Sequence, residues 1–276
     1  MKKVFLLMAG FASVSLLHAQ MKAGTIVYDQ KINMHRNIQD EQMKAMMPEF
    51  RTAKYQLEFS DSVSLYKLIP EDEAPDPFAG GGGARRMVFT MGGAGSETYK
   101  NFSQMKSIQS SELGGKNFLI VDSIRQQPWK LGDETKTILG HICHKATRKI
   151  IQPAQRRMVF GGPSAPPADT AKTARPGAVP AGKEVEVVAW YADDIVSPAG
   201  PESYGQLPGV ILQLDVDNGA TVYTATDIKK TVDQKSLKEP KKGKVVTQQE
   251  YVKMMMDLMG NGGGIPMGGG VIRFGN

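Results

Sequence analysis

The pair Asn218-Gly219 stands between two stretches in which apolar and polar residues alternate, within Val210 to Ala225. Asn-Gly is the strongest short hairpin signal, because both residues accept the positive φ of a type I′ turn, whose twist matches the flanking strands. A two-residue turn here sets Leu214 opposite Tyr223 and Leu212 opposite Ala225. Leu212, Leu214 and Val216 then share a face with Tyr223. A one-residue slip would turn all of them outward, so that face is expected to meet the core.

The same period recurs along the chain. Ala23 to Met34 alternates loosely and is expected to open the fold as a strand. Tyr55 to Phe59 and Val63 to Ile69 flank Ser60-Asp61-Ser62 as a second hairpin. Thr98 to Ile124 contains several short strand-like runs, broken by a turn at Glu112 to Lys116. Trp129 to Leu131, Thr135 to Leu139 and Glu184 to Ala192 continue the pattern. Only two segments have helical spacing. Asp40 to Met47 carries Met43, Met46 and Met47 at i, i+3 and i+4 and is ended by Pro48. Thr247 to Glu250 forms a capping box that opens a helix over 247–259 bearing Tyr251, Met254, Met255 and Leu258, with Gly260 expected to stop it and a Gly-rich tail after it. Regular βαβ alternation is absent. The fold class is therefore mainly β (α+β): a curved antiparallel sheet or incomplete barrel with one or two short packed helices, over 20–246.

Two segments interrupt this domain, about 71–86 and 161–182, both rich in Gly and Pro and expected to be flexible insertions. Arg85 to Phe89 and Arg156 to Phe160 repeat the word Arg-Arg-Met-Val-Phe, and Val271 to Gly275 echoes it. These pieces are candidates for strands that pair beside one another.

Lys2 and Lys3, the uncharged apolar run Val4 to Leu17, and Ala19 follow the three-part layout of a signal peptide. A run of about 14 residues is too short for a bilayer span, which needs about 20. Cleavage after Ala19 is expected, leaving Gln20 first, no transmembrane helix in the mature chain, and a periplasmic or outer-envelope location. About 257 residues remain after cleavage, which suits one large β domain or two small ones. The single cysteine, Cys143, excludes an intramolecular disulfide. The formal charge of +6 falls when the leader leaves, and the rest concentrates in Lys229 to Lys244. This segment is expected to be a solvated linker, with contact to anionic lipid as an alternative. Basic and aromatic residues are not interleaved as in single-strand binders, which argues against nucleic acid.

Catalytic constellations are missing. There is no Gly-x-Ser-x-Gly elbow, and Gly80 to Gly83 lacks the Lys and Ser or Thr of a phosphate loop. Asp193-Asp194 point to opposite sides of an extended chain, and Asp217 belongs to the Asn-Gly turn. His141, Cys143 and His144 are the one cluster of soft ligands, but a strand puts His144 opposite the other two, and a tetrahedral site needs more. A buried thiol with surface histidines is the plainer reading. No catalytic residue, metal site or cofactor is assigned. The methionines of the two helices are read as apolar lining, with Cu(I) handling as a weaker alternative.

Gly200-Pro201, then Tyr204-Gly205-Gln206-Leu207-Pro208-Gly209-Val210-Ile211, resembles the motif that names the GLPGLI family of exported Bacteroidetes proteins. Gln206 stands where the name has Gly, and Val210 where it has Leu. Trp129-Lys130-Leu131, Thr135-Lys136, Ile138-Leu139-Gly140, Cys143, Lys145-Ala146-Thr147 and Ala189-Trp190-Tyr191 fall where the family has similar words. The resemblance runs from about Gly24 to Ile228 and is most specific from Trp129 to Asn218. It implies an exported envelope protein and no established activity. More distantly, the pattern is similar to outer-membrane lipoprotein carriers, which implies a curved sheet closed by helices over an apolar cavity. The resulting expectation is a non-enzymatic envelope protein binding a lipid, lipoprotein or other hydrophobic ligand. Its apolar face would hold Leu212, Leu214, Tyr223, Met254, Met255 and Leu258, and the motif itself would be structural. The alternative is a structural or interaction module for an outer-membrane protein.

Overall fold

The computed structural model describes residues 20–70, 96–152 and 182–261, apart from 39, 127 and 234. The leader, the Arg-Arg-Met-Val-Phe repeats, the C-terminal tail and nearly all of both insertions lie outside the described residues.

The alternating segments become strands β1 (Gly24–Asn33), β2 (Phe50–Phe59), β3 (Val63–Leu68), β4 (Glu97–Asn101), β5 (Lys106–Leu113), β6 (Lys116–Ser123), β7 (Lys130–Ile138), β8 (His141–Gln152), β9 (Lys183–Ala192), β10 (Val210–Val216), β11 (Thr221–Lys229) and β12 (Lys244–Val246). They form one open 12-stranded sheet in the order β12-β6-β5-β4-β3-β2-β1-β11-β10-β9-β8-β7, not closed into a barrel. Every pairing is antiparallel except β12 with β6, which is parallel. That exception follows from the chain path: residues 230–243 carry the chain from β11 to the β6 edge, so β12 arrives without a hairpin.

The Asn-Gly hairpin has the expected register, with Leu214 opposite Tyr223 and Val216 opposite Thr221. Asn218 (φ 49°) and Gly219 (φ 84°) both take the left-handed conformation that a type I′ turn requires. Asp215 Oδ1 accepts from the Gly219 amide at 2.6 Å and fixes the turn. The two runs around residues 129–139 merge into a single strand, β7, with a register shift between Leu131 and Thr135.

Helix α1 (Glu41–Met46) lies in the β1–β2 connection, and α2 (Gln248–Asn261) follows β12. The capping box forms as expected: the Glu250 amide donates to Thr247 Oγ1 (3.2 Å) and the Thr247 amide to Glu250 Oε2 (2.7 Å). The Thr247 amide, and the Thr247 hydroxyl donating to the same oxygen, hold the Glu250 carboxyl below its ordinary pKa. α2 runs to Asn261, past Gly260; a glycine weakens a helix without ending it unless a left-handed cap follows. Among the described residues, no helix is long and apolar enough to cross a membrane.

One face, called inner here, carries the main core: Ile26, Tyr28, Leu57, Val187, Leu212 and Leu214 are each fully buried. Each such side chain contributes about 1.5–3 kcal/mol relative to exposure. The β9–β10 connection, 193–209, packs on this face with Ile195, Ala199 and Leu207 buried. On the outer face, Leu65, Tyr99, Ile108 and Leu119 form a second cluster, covered by Leu237 and Val232. The basic segment 229–244 is therefore only partly the solvated linker expected of it. Its lysines are exposed, but Leu237 is buried and Glu239 pairs with Lys106 at 2.6 Å, so it straps the outer face of β3 to β6.

Candidate functional site: a polar cavity under the motif loop

The motif residues build the loop that covers the inner face. Gly200, Pro201, Tyr204, Leu207, Gly209, Val210 and Ile211 are buried, while Pro208 is exposed. The Val196 amide donates to Met21 O at 2.8 Å and the Met21 amide to Asp194 O at 2.9 Å, which tethers the loop to the segment before β1, and the Gln206 amide donates to Pro198 O at 2.8 Å. A Cβ on Gly209 would lie 1.8 Å from the Ala192 carbonyl oxygen, so only glycine lets the loop enter β10 so close to the end of β9. Gln206 adopts φ 64°, a left-handed conformation that glycine takes freely. This is the position where the GLPGLI motif has Gly.

Leu212, Leu214 and Tyr223 lie in the core cluster with Ile195, Ala199 and Leu207. The chain itself fills that apolar face, so these residues do not line an open cavity. Met254 packs in a different cluster with Phe118, Ile120, Val246 and Tyr251, on the far side of the sheet order. Met255 is half-buried on the same helix, and Leu258 falls outside the described side chains. The two groups expected to share one apolar surface are thus separated. Met46 and Met256 are exposed, so these two methionines do not serve as the apolar lining expected of the helices.

A cavity of about 540 Å³ opens instead between the motif loop and β2 to β6, and its walls are polar. Lys100 of β4 and Arg148 of β8 both line it. Six strands separate β4 from β8 in sheet order, so the open sheet is curled enough for its two ends to face one space.

The wall is organised by the loop. Lys100 is 6% exposed, and its Nζ donates to Tyr204 O at 3.3 Å. Burial pulls its pKa down to about 8, with Glu202 opposing part of that shift. The Arg148 guanidinium lies between two rings, 4.5 Å from the centre of Trp129 and 4.8 Å from that of Tyr204. Burial lowers its pKa, and the Tyr204 hydroxyl counteracts this. Trp129 Nε1 in turn donates to Gly205 O at 3.0 Å, which fixes the ring. Glu202 (φ 48°) takes Tyr223 Oη at 2.5 Å and Gln30 Nε2 at 3.3 Å on its Oε1. Burial raises the Glu202 pKa against the opposing effects of Tyr223 and Lys100. Tyr66 stacks on Tyr55 with ring centres 5.0 Å apart. The Tyr66 hydroxyl and Arg148 Nε are buried with no hydrogen-bond partner among the described residues.

Sequence reasoning did not single out Tyr66, Lys100, Arg148 or Glu202. Lys100 alternates with Tyr99, and the alternation rule assigns the lysine to solvent; here Tyr99 faces the strap and Lys100 faces the cavity. Glu202 did carry a signal, as a carboxylate inside an otherwise apolar motif. The soft-ligand cluster is arranged as two pairs: His141 with Asp194 at 2.7 Å and His144 with Asp193 at 3.4 Å. Cys143 is buried, and its thiol is pushed up to about 11 by that burial.

A family model described as a protein of unknown function (Porph_ging) matches residues 129–213. That span runs from Trp129 through β7, β8 and β9 and the whole motif loop into β10, and holds Arg148, Glu202 and Tyr204. No curated protein matches. Among solved structures, PNGF-II in space group C2 is similar with a TM-score of 0.50 at 17% identity, over 85% of this chain and 33% of that one. A second crystal form of PNGF-II gives 0.49 at 16% identity, over the same shares. LprF from Mycobacterium bovis gives 0.24 at 10% identity, over 78% of this chain and 89% of that one. The chain spans about a third of PNGF-II, and at this identity the likeness is one of fold alone.

Proposed function

We propose that this chain is an exported, non-enzymatic binding protein of the cell envelope, and that it takes a small polar ligand in the cavity under the motif loop. One observation carries the reading: a space of about 540 Å³ is walled by buried polar groups, two of which, Tyr66 Oη and Arg148 Nε, have no partner among the described residues. Buried polar groups are nearly always satisfied, so a site that leaves two open suits a molecule that completes them. The apolar cargo implied by the carrier resemblance has less support, because Leu212 and Leu214 are packed against the chain's own loop. Export is supported by Lys2, Lys3, the apolar run to Leu17 and the GLPGLI-like motif, whose best-matching stretch overlaps the matched family of unknown function. N-terminal sequencing of the envelope-purified protein should begin at Gln20.

Native mass spectrometry of that protein, purified without detergent, tests the binding role. An adduct of small-molecule mass is expected on the wild type. It should vanish in Ser107→Trp, which puts a large ring into the cavity. An adduct of lipid mass that survives Ser107→Trp would restore the apolar reading.

A second reading, an interaction module, is favoured by β7. Among the described residues it ends the sheet, and Leu131, Ile142 and Ile151 on β7 and β8 are exposed. Crosslinking from β7 in intact envelopes should then yield one recurrent partner, and no crosslink would count against it.

A further inference from the structure

Three side chains on the cavity wall, Lys100, Arg148 and Tyr66, have donors to spare. A lysine ammonium has three donors. Lys100 Nζ uses one, toward Tyr204 O, and is buried. Arg148 Nε–H is a donor with no partner among the described residues. The Tyr66 hydroxyl, on a side chain 5% exposed, also lacks a partner. Of the acceptors on the same wall, Glu202 Oε1 is engaged, taking Tyr223 and Gln30. Charge points the same way. Lys100, Arg125 and Arg148 line the cavity, against the carboxyls of Asp122 and Glu202. The guanidinium is held by two aromatic faces, so its donors are fixed in direction before any ligand arrives.

We infer that the cavity binds a small organic anion, whose carboxylate or phosphate oxygens accept from Lys100, Arg148 Nε and Tyr66. This deepens the proposed binding role and rests on it. An acceptor-only group with several lone pairs can satisfy donors from several residues of one cavity at once, which a neutral hydroxyl cannot do without leaving its own proton unplaced. The volume admits a molecule larger than a bare inorganic ion. Glu202 faces the same space, so its charge opposes the ligand.

Calorimetric titration of the envelope-purified protein at low ionic strength, with citrate and with inorganic phosphate as probes and glucose as the neutral control, tests this. Saturable one-to-one binding of at least one anion and none of glucose is expected, and the preferred anion identifies the carboxylate or the phosphate source. Lys100→Gln should weaken it about 10- to 100-fold, the worth of a charge-assisted bond. Tyr66→Phe should weaken it about 3- to 10-fold without lowering Tm, because it removes a hydroxyl that the free protein leaves unsatisfied; a structural role would lower Tm instead. Glu202→Gln should tighten it severalfold. Anion binding that is indifferent to Lys100→Gln overturns the inference. Where neither probe binds, the native adduct arbitrates. An anionic adduct upholds the inference, and a neutral one overturns it while leaving the cavity reading intact. No adduct and no probe binding overturn both.

Discussion

The inner face of the sheet has two unlike halves. On β1, β11, β10 and β9 it presents Ile26, Tyr28, Leu214 and Val187, and the motif loop presses Ile195, Ala199 and Leu207 onto them. On β3, β4 and β5 it presents Tyr66, Lys100, Ser107 and Gln109, and the same loop stands off to leave a cavity. The strands of both halves belong to one hydrogen-bonded sheet, so a break in the sheet does not separate the halves. Side-chain chemistry does. Apolar surface pulls the loop down, because burying it is favourable in proportion to area. Polar surface gains nothing from contact unless each group finds a partner. The loop bridges both halves by changing its own composition, from Ile195 and Ala199 to Glu202 and Ser203.

The strongest way to break this comparison is to cut equally into each half. Leu214→Ala removes a fully buried side chain with close neighbours on every side, and should lower stability by about 3 kcal/mol. Gln109→Ala, on the cavity wall with one bond to Ser96 Oγ at 3.0 Å, should lower it by less than about 1 kcal/mol. Denaturant titration of both variants measures the difference. Equal losses would mean that the polar half is packed core after all.

Lys100→Met goes further, because it should stabilise the protein. In the folded state the Lys100 pKa is lowered from 10.5 to about 8, mainly by burial. The folded form therefore binds fewer protons than the unfolded form between those values. Stability rises with pH across that window, and the penalty of the buried charge is fully present below pH 8. The full shift corresponds to roughly 3 kcal/mol, and losing the bond to the Tyr204 carbonyl returns about 1, leaving a gain of about 2 kcal/mol at neutral pH. The gain should shrink as pH rises from 8 toward 10.5. A gain that is flat with pH would show that the lysine is not charged at neutral pH. A lysine kept where methionine is more stable is what a binding site would require.

The two halves were not equally legible in the sequence. The apolar half was open to pattern reading: Asn218-Gly219 set the turn, and alternation then placed Leu212, Leu214 and Tyr223 together on the buried face. Alternation says which residues share a face, but not which face is inside. On β4 the apolar residue, Tyr99, turns outward because 230–243 returns to cover it with Leu237, a tertiary event with no local signature. Lys100 is inward for the same reason. Arg148 could not be paired with Tyr204 by spacing, since the contact arises from the curl of the whole sheet. The motif loop lay between these extremes. Its glycines and proline were legible as a tight approach to β10, but its role as the wall of a polar cavity depends on strands distant in sequence.

The smallest expected effect sharpens the comparison at the loop itself. Gln206 lies where the loop passes onto the cavity side, and it holds φ 64°. A non-glycine residue in that conformation costs about 1–2 kcal/mol, while glycine there returns about 0.5–1 kcal/mol through its freer unfolded state. Gln206→Gly should therefore stabilise the protein by about 0.5 kcal/mol, a Tm rise of about 1–2 °C for a chain of this size. The backbone bond from the Gln206 amide to Pro198 O remains in the variant, so the loop keeps its path. The variant also restores the glycine that the GLPGLI motif has at this position. If scanning calorimetry shows a fall instead, the Gln206 side chain contributes more at the cavity rim than its backbone strain removes, and the polar half of the face extends one residue further into the motif than the buried Leu207 suggests.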